Sequence, residues 1–142
     1  MTIARITAGR AQDIVSCQPG VTVREAAGLL AERRIGALPV VEGEAVVGIF
    51  SERDLLYCVA REGAAVLDRP LSQVMTAPPI TVDPATDVLE ALSLMTRRRI
   101  RHLPVVQDGR MVGFVSIGDL VKHRIELIEG EAQAMRDYIR TA

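Results

Sequence analysis

The 142-residue chain has no tryptophan, only two phenylalanines and two tyrosines, and so no stacking platform for unpaired bases. Its two cysteines, Cys17 and Cys58, are too few for a disulfide framework and too far apart for a Cys-x-x-Cys metal or redox site. Both read as small buried hydrophobes. The two histidines, His102 and His123, are likewise too separated for a paired metal site. Neither charge prevails: 17 Lys and Arg face 18 Asp and Glu, for a formal net charge of -1. No overall field therefore draws the protein to nucleic acid or to an anionic membrane. No apolar run approaches the roughly 20 residues that span a bilayer, and the opening MTIARITAGRAQ lacks the apolar core and cleavage site of a secretory signal. The expectation is a cytoplasmic protein with neither nucleic acid nor membrane as partner.

What is present is hydrophobic matter arranged twice. Hydrophobic residues make up 49% of the chain against 25% charged, enough for a folded interior. The string RRIGALPVV at 33–41 returns as RRIRHLPVV at 98–106, setting Pro39 and Pro104 65 positions apart. At that offset residues 14–55 overlay 79–120 without a gap. Pro19 then meets Pro84, Glu25 meets Glu90, Gly48 meets Gly113, Ser51 meets Ser116 and Asp54 meets Asp119. The chain is a tandem duplication.

Each copy reads as β-α-β-β-α. TVREAAGLLAERR opens with Thr22 and Glu25 in capping-box spacing, and Val23, Ala26, Ala27 and Leu30 follow helical periodicity; DVLEALSLMTRRR repeats the pattern from Asp87. Two β-branched runs around Glu42-Gly43-Glu44 and Asp108-Gly109 read as hairpins. Pro39 and Pro104, which cannot donate to a ladder, belong at a strand start or edge. The sequence places a first repeat at 1–65 with its core at 14–60, and a linker with a short helix at 66–78. A second repeat follows at 79–124 and a C-terminal helix at 125–142. The fold class is α/β (α+β), two pseudo-symmetric units packed through their sheets. The apolar stripe Val121, Ile125, Ile128, Ala132, Met135 and Ile139 of the terminal helix either docks on its own chain or serves a contact between subunits.

GIFSERDL at 48–55 and GFVSIGDL at 113–120 pose the functional question. Serine with an acid three residues on is an N-cap signature that needs no ligand. The same helix start, with its free N–H groups and a serine hydroxyl, also suits a phosphate. An ionised aspartate suits the cis hydroxyls of a ribose. Gly48 and Gly113 either let backbone approach a ligand or mark β-bulges.

With LPVV twice, VGIFSERDL and VGFVSIGDL, and MTAPPITVDPATDVLEAL between them, residues 12 to 124 resemble a pair of CBS domains, the modules named for cystathionine β-synthase. The resemblance implies a regulatory module that binds an adenosine-containing ligand between the repeats, AMP foremost, with ATP, NAD(H) or S-adenosylmethionine as alternatives. It implies a homodimer paired through helices, and an effector protein that reads the ligand state. By the same resemblance one cleft uses Ser116, Asp119, Arg101 and His102 against Val21 and Ile35. The other uses Ser51, Asp54, Gly36 and Ala37 against Thr86 and Ile100, with help from Arg53. Because Gly36-Ala37 replaces Arg101-His102 in the first copy, the Asp119 cleft is expected to be the stronger monophosphate site. No P-loop, nucleophile with a paired base, or metal cluster marks an enzyme. The alternatives are an interaction module without a nucleotide and a weak nucleotide hydrolase.

Overall fold

One hairpin and its flanking helices make each half of the computed structural model, which describes residues 1–9 and 13–141. In chain order the elements are α1 (Ile3–Thr7), α2 (Val23–Arg33), β1 (Ala37–Glu42), β2 (Ala45–Ser51) and α3 (Glu52–Glu62). Two 3₁₀ turns (Gly63–Asp68 and Leu71–Gln73) lead to α4 (Val88–Arg98), β3 (His102–Gln107), β4 (Arg110–Ser116) and α5 (Ile117–Thr141). The duplication is visible in the elements: α2, β1, β2 and α3 repeat as α4, β3, β4 and the start of α5.

Local chemistry sets the boundaries. The Thr22 hydroxyl accepts from Glu25 N at 3.2 Å, and the Asp87 carboxylate accepts from Leu89 N at 3.2 Å, so α2 and α4 start on side-chain caps. Each ends on an arginine in the left-handed region, Arg34 (φ 54) and Arg99 (φ 55), whose N–H groups close the last turn. Asp108 and Gly109, at φ 53 and 77, form a two-residue turn that only such residues adopt readily.

The hairpins pair antiparallel with matching irregularities, one between Val40 and Val41 and one between Val105 and Val106. Val47 and Val112 are the extra residues, so the bulges lie beside Gly48 and Gly113 rather than on them. The leading strand expected of each repeat shrinks to a one-residue parallel bridge, Cys17 to Val40 and Val82 to Val105. Pro39 offers no N–H there. The ladder consists of Cys17 N donating to Pro39 O at 3.1 Å and Val41 N donating to Cys17 O at 2.8 Å.

Two hydrophobic clusters result. Val23, Leu30, Leu38, Val40, Phe50 and Leu71 anchor the first; Ile3, Val88, Met95, Leu103, Val105 and Leu120 anchor the second. The hairpins meet where Met111 N donates to Glu44 O at 2.9 Å and Arg110 pairs with Glu44 at 2.8 Å.

Ile3 belongs to the second cluster although it opens the chain. The N-terminal segment docks on the second repeat as residues 69–76 dock on the first. Val88 N donates to Met1 O and Ile3 N to Thr86 O, as Val23 N donates to Arg69 O and Leu71 N to Val21 O. The terminal helix is continuous with the last helix of the second repeat: α5 runs unbroken through Gly130. Ala142, its expected last residue, lies outside the described residues.

Candidate functional site

Ser51 ends β2 and caps α3, and its surroundings decide what the serine and aspartate do. Asp54 N donates to Ser51 Oγ at 3.1 Å, and Asp54 Oδ2 accepts from Ser51 N at 2.9 Å and from Ser51 Oγ at 3.0 Å. The capping reading is therefore realised as a full box. The other carboxylate oxygen, Oδ1, accepts from the Thr76 hydroxyl at 3.0 Å. Thr76 is fixed in turn by reciprocal backbone bonds to Ile49, at 2.9 and 3.0 Å.

This helix start opens into a cavity of about 480 Å³, within the size range of small-molecule sites. From the first repeat it is lined by Gly36, Ala37, Ile49, Ser51, Glu52, Arg53, Asp54, Leu56 and Tyr57. The connecting segment supplies Thr76, and the second repeat supplies Pro79 and Ile80 at its start with Arg99, Ile100, Arg101 and His102. Both repeats thus wall one space. Arg53 crosses it, donating from Nη1 to the Arg99 carbonyl at 3.1 Å. The lining combines apolar surface, three guanidinium groups, two carboxylates and the positive end of α3, a set of chemistries that suits an anion and a hydroxyl-bearing group attached to a flat apolar ring.

His102 sits where the starts of β1 and β3 approach each other. A Cβ added at Gly36 would lie 3.4 Å from His102 Cε1 and 3.0 Å from Glu52 Oε1, so a side chain here would crowd this corner and press the Glu52 carboxylate aside. The imidazole stacks on Phe114 with centroids 5.6 Å apart and planes at 14°. Burial pushes its pKa below the ordinary histidine value, opposed by the carboxylates of Asp119 and Glu52 and reinforced by Arg101.

Of the residues expected from sequence, Ser51, Asp54, Arg53, Gly36, Ala37 and Ile100 come together in this cavity. Arg101 and His102, expected at the Asp119 cleft, line this cavity as well. The strand starts adjoin across the pseudo-twofold axis, so a residue entering β3 faces the first repeat's helix start, and His102 lies within reach of Asp119 and Glu52 alike. Arg101 therefore places a cation in the Asp54 cavity too.

Thr86 is not in the cavity wall: its hydroxyl accepts from Asp83 N at 3.2 Å and its carbonyl accepts from Ile3 N at 2.9 Å, which holds it in a turn beneath α1. Thr76, Pro79 and Ile80 supply the wall expected of it. Val21 and Ile35 pack against the first core cluster. Ser116 and Asp119 repeat the reciprocal cap, with Asp119 N donating to Ser116 Oγ at 3.1 Å and Ser116 N donating to Asp119 Oδ2 at 2.9 Å. Among the described residues no hydroxyl corresponds to the Thr76 bond.

Glycine's role at 48 and 113 is also corrected. A Cβ at Gly48 would meet Met75 and Thr76, and one at Gly113 would meet Thr7. The glycines admit the chain's own docking segments, not a ligand. Thr76, Arg99, Tyr57 and Ile80 are functional candidates that sequence reasoning missed; the signal for Thr76 and Ile80 lay in MTAPPI, the segment joining the repeats.

Cys17 and Cys58 are buried, and burial raises both thiols. Glu25 adds to the effect at Cys17, and backbone hydrogen bonds partly offset it at Cys58. Among the described residues no group of three or more His, Cys, Asp or Glu is placed to hold a metal ion. No described helix is long and apolar enough to cross a membrane.

The geometry agrees with comparisons across known proteins. The family model described as "CBS domain" matches residues 10–61 and 71–126. The CBS domain-containing protein CBSX3, mitochondrial, of Arabidopsis thaliana is 39% identical over 129 residues, covering 87% of this chain and 63% of that protein. The chain thus spans somewhat under two thirds of that relative, whose name places it in mitochondria, so membership carries no assignment to the cytoplasm. The crystal structure of the CBS-domain containing protein ATU1752 from Agrobacterium tumefaciens superposes with a TM-score of 0.80 at 38% identity, covering 87% of this chain and 92% of that one. That of CBSX2 in complex with AMP gives a TM-score of 0.76 at 27% identity, covering 89% and 97%. A duplicated hairpin-and-helix unit, two matched segments and a shared fold lead to one conclusion: this chain belongs to the CBS domain family, as a tandem pair.

Proposed function

We propose that the chain is a non-catalytic regulatory module that binds an adenosine-containing ligand, AMP foremost and ATP or NAD(H) as larger alternatives, in the cavity between its repeats. The observation that carries this reading is the convergence, on one space, of the α3 start with Asp54 from one repeat and Arg99, Arg101 and Ile100 from the other. In this reading the α3 N–H groups and Ser51 take the phosphate, with Arg53 and Arg101 balancing its charge. Asp54 takes the ribose hydroxyls, sharing or displacing the Thr76 hydroxyl. Ala37, Ile80 and Ile100 enclose the base. CBSX2, 27% identical and solved with AMP, supports the ligand class. Ser116 and Asp119, with Val21 and Ile35, form the second site of the reading.

A ligand held by both repeats favours whichever relative arrangement improves its contacts, and so shifts that equilibrium by its differential affinity. The output is a change in the surface offered to an effector protein. The reading includes a homodimer, since Leu56, Tyr57 and Val59 of α3 are exposed large hydrophobics.

Titration calorimetry with AMP, ATP, NAD and S-adenosylmethionine tests the proposal. Arg101→Ala should weaken AMP binding about 10- to 100-fold, the scale of one charge-assisted hydrogen bond of about 1.5–3 kcal/mol. Asp54→Ala should weaken it further, and Asp119→Ala should act on a separate binding step. No heat with any of the four ligands, or AMP affinity unmoved by Asp54→Ala and Arg101→Ala, would defeat the assignment of this cavity.

A further inference from the structure

α5 is 25 residues long, roughly 37 Å at 1.5 Å per residue, and its second half stands out from the body of the chain. Every residue from Ile128 to Thr141 is exposed. The helix nevertheless carries a continuous apolar stripe: Ile125 is 50% exposed, Ile128 48%, Met135 59% and Ile139 66%. The face turned to the body is a different one, formed by Leu120, His123 and Leu127 with Arg124 at its edge, about a third of a turn away. The stripe runs well past residue 126, where the family match ends.

Its spacing alternates strictly between four and three. Ile125, Ala132 and Ile139 fall on the a positions of a heptad, and Val121, Ile128 and Met135 on the d positions, for nearly three heptads. A 3.5-residue repeat is the pattern of a seam between two helices, narrower than the face a helix turns to a globular core. Gly130, a poor helix former, falls on the outermost f position, where it removes nothing from a seam.

The flanking charges choose the partner and its direction. In a parallel pair of identical helices each g residue meets the e residue of the next heptad. Arg124 then meets the partner's Glu129, and Glu131 meets the partner's Arg136, so every such charged pair is attractive. In the fully overlapped antiparallel pair Glu131 would face the partner's Glu131 and Glu129 the partner's Glu129, and both contacts are repulsive.

We infer that α5 forms a parallel two-stranded coiled coil with α5 of a second copy of this chain, seamed by Val121, Ile125, Ile128, Ala132, Met135 and Ile139. The inference deepens the homodimer of the proposed function and rests on it. The seam buries the stripe and stabilises a helix that has no other support along its second half. The twofold axis of the coil relates the two copies' cavities, so that rotation of the repeats in one copy acts on the other through paired helices.

Disulfide trapping tests the arrangement in the full-length protein. In a parallel coil every d residue faces its own counterpart, whereas in an antiparallel one at most a single position can. Ile128→Cys and Met135→Cys, made separately at exposed sites, should each give a covalent dimer on mild oxidation. The unsubstituted protein should not, its own Cys17 and Cys58 being buried. Glu131→Arg should raise the dimer dissociation constant in analytical ultracentrifugation by about tenfold, and Glu131→Arg with Arg136→Glu should restore it. A dimer that traps at one position or neither, and ignores the charge swap, would overturn the coil while leaving the homodimer standing. A monomer at all concentrations would remove both, and would leave the nucleotide reading to its own titration.

Discussion

Gly48→Ala examines the junction on which the cavity depends. An added Cβ would lie 2.5 Å from Met75 Sδ, 2.9 Å from Met75 Cγ and 3.1 Å from the Thr76 carbonyl oxygen. Met75 can turn its thioether aside, but the Thr76 carbonyl is held by Ile49 N at 3.0 Å while Thr76 N holds Ile49 O at 2.9 Å. Overpacking of this kind costs about 1–3 kcal/mol. The stiffer unfolded chain returns about 0.4–1 kcal/mol. The net loss is about 1–2 kcal/mol, a fall in Tm of roughly 3–8 °C for a protein of this size. Calorimetric melting and urea titration read it directly. In a Met75→Ala background the same substitution should cost less by at least about 0.5 kcal/mol, because the nearest two atoms are gone. Gly113→Ala is the internal comparison. Its Cβ would meet Thr7 Cγ2 at 2.7 Å, but Thr7 ends a five-residue helix and can yield more readily, so the loss should be smaller. Since Thr76 also holds Asp54, Gly48→Ala should weaken AMP binding as well. A Gly48→Ala protein as stable as the parent, with no coupling to Met75, would refute the claim that the docking segment fixes this wall.

Three further outcomes are expected. The His102 pKa is lower in the folded protein than the roughly 6.5 of an unfolded chain, so the unfolded chain takes up its proton first as pH falls. The contribution of His102 to stability is therefore complete above about pH 6.5 and is lost below it, and His102→Gln should flatten urea-midpoint curves in that acidic window; a parent protein that gains stability there relative to the variant would contradict the sign. Ser51→Ala and Ser116→Ala should each cost about 1 kcal/mol as lost caps, Ser51→Ala the more because its hydroxyl also donates to Asp54 at 3.0 Å; equal losses in chemical denaturation would show that this second bond contributes nothing. Cys17 and Cys58 should react with a thiol reagent only on unfolding, and rapid labelling of the native protein would show that their shielding is not real.

The duplication, the hairpins and the caps were legible in the sequence because each is written within a few residues. Ser51 and Asp54 share one helical turn, Asp108-Gly109 fits one turn type, and the offset joining Pro39 to Pro104 needs only the chain itself. The family resemblance grouped Ser51, Arg53, Asp54, Gly36, Ala37 and Ile100, and the structure brings these six into one cavity wall. Reading from sequence fell short where neighbours in space are far apart in the chain. The resemblance gave Arg101 and His102 to the Asp119 cleft, yet the adjoining starts of β1 and β3 also put them in the wall of the Asp54 cavity. Thr76 acquires its role only once its backbone pairs with Ile49, and Ile3 enters the second core only because the N-terminal segment imitates residues 69–76. Periodicity and capping act over one or two turns of chain and leave their mark in the sequence. Which surfaces meet across a pseudo-twofold axis is decided by the joint burial of two cores, a property of the folded chain as a whole.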